Sequence, residues 1–160
     1  MALVASDYIK PLRHLGGGCI PTITVNKTAV AWSQGDIIVQ NTAGYAARGA
    51  DDPATATILG VALGDATAAA TTAEIVPALP GVTFWGRIAG DDAGSTADSA
   101  AANRYVAYDL SLCDVSDVFF VNTGDVANVP VVIINLIDVA GTAWGAVEFV
   151  FAGSAFNSVT

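Results

Sequence analysis

Between residues 58 and 89 the chain carries three strand-length apolar runs, ILGVAL, EIVPAL and VTFWGRIA, the last two parted by Pro80-Gly81. β-Branched and aromatic side chains dominate them, and these residue types pack well on a pleated surface. Runs of about 4–8 such residues, bounded by Gly, Pro, Asn or Asp, read as strands joined by tight turns. The same pattern recurs along most of the chain. CIPTITV alternates Ile20, Thr22 and Thr24 with Pro21, Ile23 and Val25, and NKT then serves as a turn before AVAW. GDIIVQNTAGYAARG reads as a strand, a turn and a return strand, and YVAYDLSL, DVFFV, VPVVIINLID and GAVEFVFAG follow later. Pro130 begins its run, where a missing backbone donor is tolerated. The expectation is an all-β domain of roughly ten strands, compact and sandwich- or barrel-like.

Two stretches depart from that pattern. GDDAGSTADSAAANR (90–104) is small, polar and Ala-rich. Ser95 is placed to cap a short helix ending near Asn103, with a surface loop as the alternative, so at most one short helix is expected. Residues 1–18 close on Gly16, Gly17 and Gly18 and are read as an extended N-terminal arm with a glycine hinge, followed by a β-rich domain over 19–160. Pro11 interrupts any long helix in the arm. Eighteen extended residues reach roughly 60 Å, against a body only about 40 Å across. The expected partner contacts are therefore Leu3, Val4, Tyr8, Ile9, Leu12 and Leu15 against a neighbour's apolar surface, with Lys10 and Arg13 against its carboxylates. An arm folded back on its own body is the alternative.

Charge narrows the choice of partner. Charged residues are 13% of the chain and the net charge is −9, while hydrophobic residues reach 53%. From Asp91 to Asp138 there are eight aspartates and a single cation, Arg104. Phosphate backbones and anionic bilayers repel such a surface, so neither nucleic acid nor membrane is expected as a partner. The longest strongly apolar run, VPVVIINLI (129–137), is far shorter than the ~20 residues of a membrane-spanning helix. The N-terminus MALVASDYIK lacks the basic and apolar regions of a secretory signal, so synthesis in a cytoplasm is expected. Cys19 and Cys113 stand apart without metal-ligand spacing. Free thiols are expected, with one bridge as the alternative.

Reagents for catalysis are sparse. Nucleophilic hydrolysis needs a base held beside the nucleophile, and the only histidine, His14, lies on the arm. No GxSxG, GxxxxGK[ST] or HExxH motif occurs. Asp51/Asp52, Asp91/Asp92, Asp114/Asp117 and Asp125 sit in turn-like stretches that lack the alternating ligands, central Gly and terminal Glu of a calcium loop. Aspartate in β-turns accounts for them without an ion. The aromatic residues fall mostly inside strand runs, where core packing is their expected role. No catalytic, cofactor or metal residue is assigned, and the chain is not read as an enzyme.

One ordered set of elements carries a family resemblance. Gly35-Asp36 precedes a short strand, Gly44-Tyr45 opens a return strand, and Ile58 to Leu63 reads ILGVAL. An Ala/Thr-rich connection from Asp65 to Ala73 follows, then a strand and turn from Val76 to Gly81. This order resembles decoration (cement) proteins of tailed bacteriophage heads, over roughly residues 30–90; residues 91–160 are unmatched β-rich sequence. The resemblance implies a β-tulip-like fold and a structural virion protein on the outer surface of an icosahedral capsid, stabilising the shell. It implies the major capsid protein and neighbouring copies of the chain as partners, in a homotrimer, and no catalytic residues. The alternative is a head- or fibre-attached adhesin for host-surface glycan.

Overall fold

The computed structural model describes residues 3–156. Among them, eleven strands are joined by loops and by three short 3-10 turns, at Ala5–Asp7, Thr55–Thr57 and Ala101–Asn103. The fold is all-β, as the strand runs predict. No helix of the described residues is long and apolar enough to cross a membrane.

The strands form two sheets. One is built from β2 (Ile23–Asn26), β3 (Ile37–Gln40), β4 (Ala46–Arg48), β5 (Ile58–Ala62) and β6 (Thr72–Pro77), in the antiparallel order β2-β6-β5-β3-β4. Just beyond β2, Lys27 makes a parallel bridge to Ala46, and the Thr28 N–H donates to Ala46 O at 3.0 Å. The two outer strands of this sheet are thereby drawn toward each other, and the sheet curls. Inside the curl lie Trp32, Ile38, Ala46, Ala62, Ala66 and Ile75. Ile37, Ile58, Val61 and Val76 emerge on the other face. Ile58 and Val61 share that face, although three residues apart, because the β3–β5 register shifts between Ile38 and Val39. An extra residue in one strand moves every later side chain to the opposite face.

The other sheet closes on itself. It contains β1 (Lys10–His14), β7 (Val82–Ala89), β8 (Ala107–Leu112), β9 (Phe119–Asn122), β10 (Val131–Leu136) and β11 (Ala146–Phe151), in the order β1-β7-β11-β10-β8-β9. A parallel pairing of Ile88 and Ala89 with Val121 and Asn122 joins β9 back to β7. Five strands therefore make a barrel, with β1 added beside the first half of β7. Phe84, Phe149 and Phe151 fill it, with ring centroids 5.1–5.9 Å apart in one stacked and two edge-on pairs. Their cluster runs without a break into Ile37, Ile58, Val61 and Val76 of the curled sheet. A shared apolar core thus joins the two sheets.

The N-terminal segment follows the alternative to an arm that reaches a neighbour: it is extended and folds back on its own body. Lys10 to His14 pair in register with Trp85 to Val82 of β7. Ile9 is buried above Gly86, where an added Cβ would stand 3.6 Å from the Ile9 side chain and 3.0 Å from Phe149. Leu3 is buried with Ala89, Cys113, Val118 and Phe120, and Tyr8 packs against that group. The physical reason is the open edge of β7. Unpaired backbone groups and a bare glycine surface on the same chain offer the segment its closest partner. Gly16 to Gly18 form a turn: Gly17 N–H donates to His14 O, Leu15 N–H to Gly81 O, and Gly17 and Gly18 have φ of 75° and 93°.

Two smaller expectations also change. Residues 95–103 do not form a helix beyond the turn at Ala101–Asn103. Asp98 bridges Ala143 and the Ser99 N–H donates to Thr142 O, so this backbone is engaged with the 142–144 loop. AVAW contributes only an isolated bridge, Trp32 to Ala66.

Gly60 faces Pro77 across the β5–β6 ladder so closely that an added Cβ would collide with Val76 O. Both collision partners are backbone, so the strands themselves must separate. Gly60→Ala is expected to cost about 1–3 kcal/mol, in the range of overpacked cores, read as a lower urea midpoint with unchanged slope. Removing residues 3–15 is expected to destabilise the whole fold, since β7 loses an edge partner and Gly86 its cover. Loss of the cooperative thermal transition in the truncated chain is the readout.

Candidate functional site

The ionisable side chains converge at the places where separate segments meet. At the first junction, Arg48 at the end of β4 reaches two carboxylates. Its Nε lies 2.8 Å from Asp36 Oδ2, and its Nη2 donates to Asp36 Oδ1 at 3.1 Å and Asp117 Oδ1 at 2.8 Å. Asp36 stands just before β3, and Asp117 is in the β8–β9 turn with φ of 55°. One guanidinium therefore ties the curled sheet to the barrel. Burial pushes the Asp36 carboxyl above the usual range, against the opposing pull of the Ser33 amide and Arg48. A cavity of about 200 Å³ adjoins this junction, lined by Tyr8, Ser33, Gln34, Asp36, Ser116 and Asp117 among others.

The second junction is the turn after β4. Asp51 Oδ1 accepts the Leu112 N–H at 2.7 Å, and Asp52 Oδ1 accepts from Asn128 Nδ2 at 2.8 Å. Asp52 adopts φ of 51°, a left-handed conformation uncommon outside glycine but enriched in Asp and Asn. Its carboxyl group is within hydrogen-bonding reach of Asp109 on β8. Asp109 is 0% exposed. Burial first, then the Asp52 carboxylate, push its carboxyl up to about 8. Asp109 and Asp52 together are thus one proton short of full ionisation at neutral pH.

The third junction fastens the N-terminal strand. Arg13 makes a two-pronged contact with Glu148 on β11, Nε to Oε1 at 2.6 Å and Nη2 to Oε2 at 2.8 Å. Burial pushes Glu148 up, but hydrogen bonds led by that from Arg13 outweigh it and hold the carboxyl below its usual range. Arg87 on β7 reaches Asp7 and Asp138, each at 3.1 Å. Lys10 stands over the rings of Tyr8 and Trp85 at 4.5 and 4.8 Å.

Under the Ala/Thr-rich connection lies a fourth contact that sequence reasoning missed. Lys27 is only 6% exposed, and its Nζ donates to Thr28 O, Thr67 O and Ala70 O at 2.8, 2.9 and 3.2 Å. It also stands 5.2 Å from the Trp32 ring. The ammonium thus uses its three donors on carbonyls. Above it is an open groove of about 420 Å³ running from Leu63 to Glu74, with Asp65 and Glu74 as its only ionisable lining. A signal was present in the sequence: Lys27 is the one charged residue between Arg13 and Asp36.

The eight residues expected to touch a partner separate into two groups. Leu3 and Ile9 are buried in the chain's own core, Tyr8 and Lys10 are half-buried, and Arg13 is spent on Glu148. The barrel covers Leu3 and Ile9, while Tyr8, Lys10 and Arg13 stay partly accessible beside it. Val4, Leu12 and Leu15 are exposed. They join other solvent-facing apolar residues, among them Val115, Val139 and Tyr105. Tyr105 is 78% exposed and holds φ of 63°, a left-handed conformation that a bulky residue rarely adopts.

Of the aspartate pairs, Asp91 serves its own turn, whereas Asp92, like Asp51 and Asp52, reaches across to distant segments. Asp91 Oδ1 accepts the Ser95 N–H at 2.9 Å, and Asp92 Oδ1 accepts from Ser111 Oγ and Asn122 Nδ2 at 3.1 and 2.8 Å. Among the described residues no three His, Cys, Asp or Glu side chains are grouped to hold a metal ion. Cys19 is exposed, Cys113 is buried, and both are free thiols.

Lys27→Met keeps the apolar stem and removes the three donors, leaving carbonyls of the 67–71 connection unpaired. The expected cost is about 1–3 kcal/mol, accompanied by faster amide exchange confined to residues 65–72. Unchanged exchange there would show that the connection holds itself.

Comparison with known proteins identifies no relative: no family model matches the chain, and neither a curated protein nor a solved structure gives a significant match.

Proposed function

We propose that this chain is a structural, non-catalytic virion protein that binds the outer surface of an icosahedral phage capsid and stabilises the shell. The observation that carries this reading is the destination of its charged groups. Arg13, Arg48, Arg87 and Lys27 are each committed to acceptors of their own chain, across segments distant in sequence. Such ties brace a body and leave little chemistry for a substrate. Apolar side chains such as Leu12, Leu15, Tyr105 and Val139 meanwhile face solvent, where contact with a partner would cover them. The ordered elements over residues 30–90 that resemble decoration proteins occupy most of the curled sheet and all of β7. The partners in this reading are the major capsid protein and further copies of the chain, arranged as trimers.

A ligand that binds only the assembled shell stabilises it by about 2.7 kcal/mol per site at a hundredfold excess over its Kd. Repeated over a lattice, modest contacts become a large reinforcement. Particles carrying the protein are expected to release DNA at a higher temperature than stripped particles, and re-addition should restore the difference. Equal release temperatures would remove this reading. Saturable binding of isolated protein to host glycans, with no effect on particles, would replace it with the adhesin.

A further inference from the structure

The Asp109 carboxyl group has one oxygen accounted for and one not. Oδ1 accepts the Leu110 N–H at 2.6 Å, whereas Oδ2 is fully buried and has no donor facing it. A buried carboxylate oxygen without a donor is costly. The carboxyl group that Asp109 meets is that of Asp52, another acceptor. Two carboxylates cannot satisfy each other, but a carboxylic acid and a carboxylate can, through a short O–H···O⁻ bond.

We infer that Asp52 and Asp109 bind one proton between them, and that this proton is the catch fastening the Asp51–Asp52 turn to the barrel. Asp109 supplies the O–H and Asp52 accepts it, while Asp52 Oδ1 also takes the Asn128 amide. The turn so held follows β4 of the curled sheet, and its other carboxylate, Asp51, grips the Leu112 N–H at the end of β8. Closing the catch therefore docks one sheet onto the other beside the tie that Arg48 makes to Asp117.

The charged surroundings oppose loss of the proton. Asp52 and Asp125 both act on Asp109 as negative neighbours. Asp92 lies beyond Ser111 and Asn122, the latter being the β9 partner of Asp109. Across the β8–β10 ladder, the residue beside Asp109 is Tyr108, opposite Val131, and neither brings a charge. No ion pair of the described residues includes Asp52 or Asp109.

The sign follows from linkage. An acid whose folded value lies above its unfolded one stabilises fully below the ordinary aspartate range, and that stabilisation drains away as pH rises through the folded value. Asp52 works the other way, because hydrogen bonds led by the one with Asp109 hold its carboxyl below its ordinary range. Its share is lost as pH falls below the ordinary aspartate range. The ratio of closed to open turn should fall by up to about tenfold per pH unit from pH 4 until Asp109 ionises, and then level off.

The test uses the full chain, with ¹³C-carboxyl NMR for the proton and the Leu112 amide shift for the turn. Asp109 should titrate near pH 8, with Asp52 and the Leu112 amide reporting the same midpoint. Asp109→Asn preserves a donor that cannot ionise, so the Leu112 shift should become independent of pH and the fall in Tm between pH 4 and pH 8 should flatten. Asp52→Asn presents a donor to Asp109 in place of an acceptor, and the Asp109 midpoint should drop, although burial still holds it up. Titration of Asp109 below pH 5 in the wild-type chain would overturn the inference. So would a fall in Tm between pH 4 and pH 8 shared equally by Asp109→Asn. A rise in Tm with millimolar Ca²⁺, lost in Asp109→Asn, would overturn it by making the pair a cation site.

Discussion

Strand β7 must find hydrogen-bond partners for eight residues on two edges, and the architecture follows from how it does so. One edge is covered by β11 from Ala146 to Val150. The other is divided: β1 takes Val82 to Trp85, and β9 takes Ile88 and Ala89 in the parallel sense. A strand of that length spans roughly 26 Å, long enough to serve two partners in sequence. The parallel pairing closes the barrel, and the antiparallel one anchors the N-terminus. An unpaired half of β7 would expose backbone donors and acceptors above the aromatic core.

Around that strand, charge is used as fastening. Arg48, Arg87 and Arg13 each bridge elements far apart in sequence, and each meets a carboxylate that is itself wholly or largely buried. Desolvating such carboxylates is costly, and breaking a pair leaves the buried partner uncompensated. Such contacts fix the relative placement of segments more than they add net stability. The chain is poor in charge, yet these three arginines sit at seams.

The strand runs were legible because their alternation and turn residues are local properties. Pro80-Gly81 separates two runs that the structure places in different sheets, and the short connections around it explain why the boundary was readable. Pairing across long separations was not readable. Nothing near Val121 signals a parallel partner thirty residues earlier. The N-terminal strand was missed because Pro11 and a register shift between Pro11 and Arg13 break its alternation. Its fate depended on Gly86, a residue with no local link to it. Ser95 has the chemistry of a cap, but tertiary bridges at Asp98 and Ser99 claimed the backbone instead. Asp109 was hidden inside a strand run, where its burial depends on the turn at Asp52 packing over it.

Lys27 grips the 67–71 connection entirely through main-chain oxygen atoms. Every residue type carries the same carbonyl, so the grip does not depend on which side chains the connection presents. Its alanines and threonines are therefore free to drift in identity while the path of the chain stays the same. A rigid crossing with an unconstrained outer surface is a place where variants can accumulate without loss of fold. It is also where a foreign peptide of similar length could be displayed, its ends held by an ammonium that never reads its sequence.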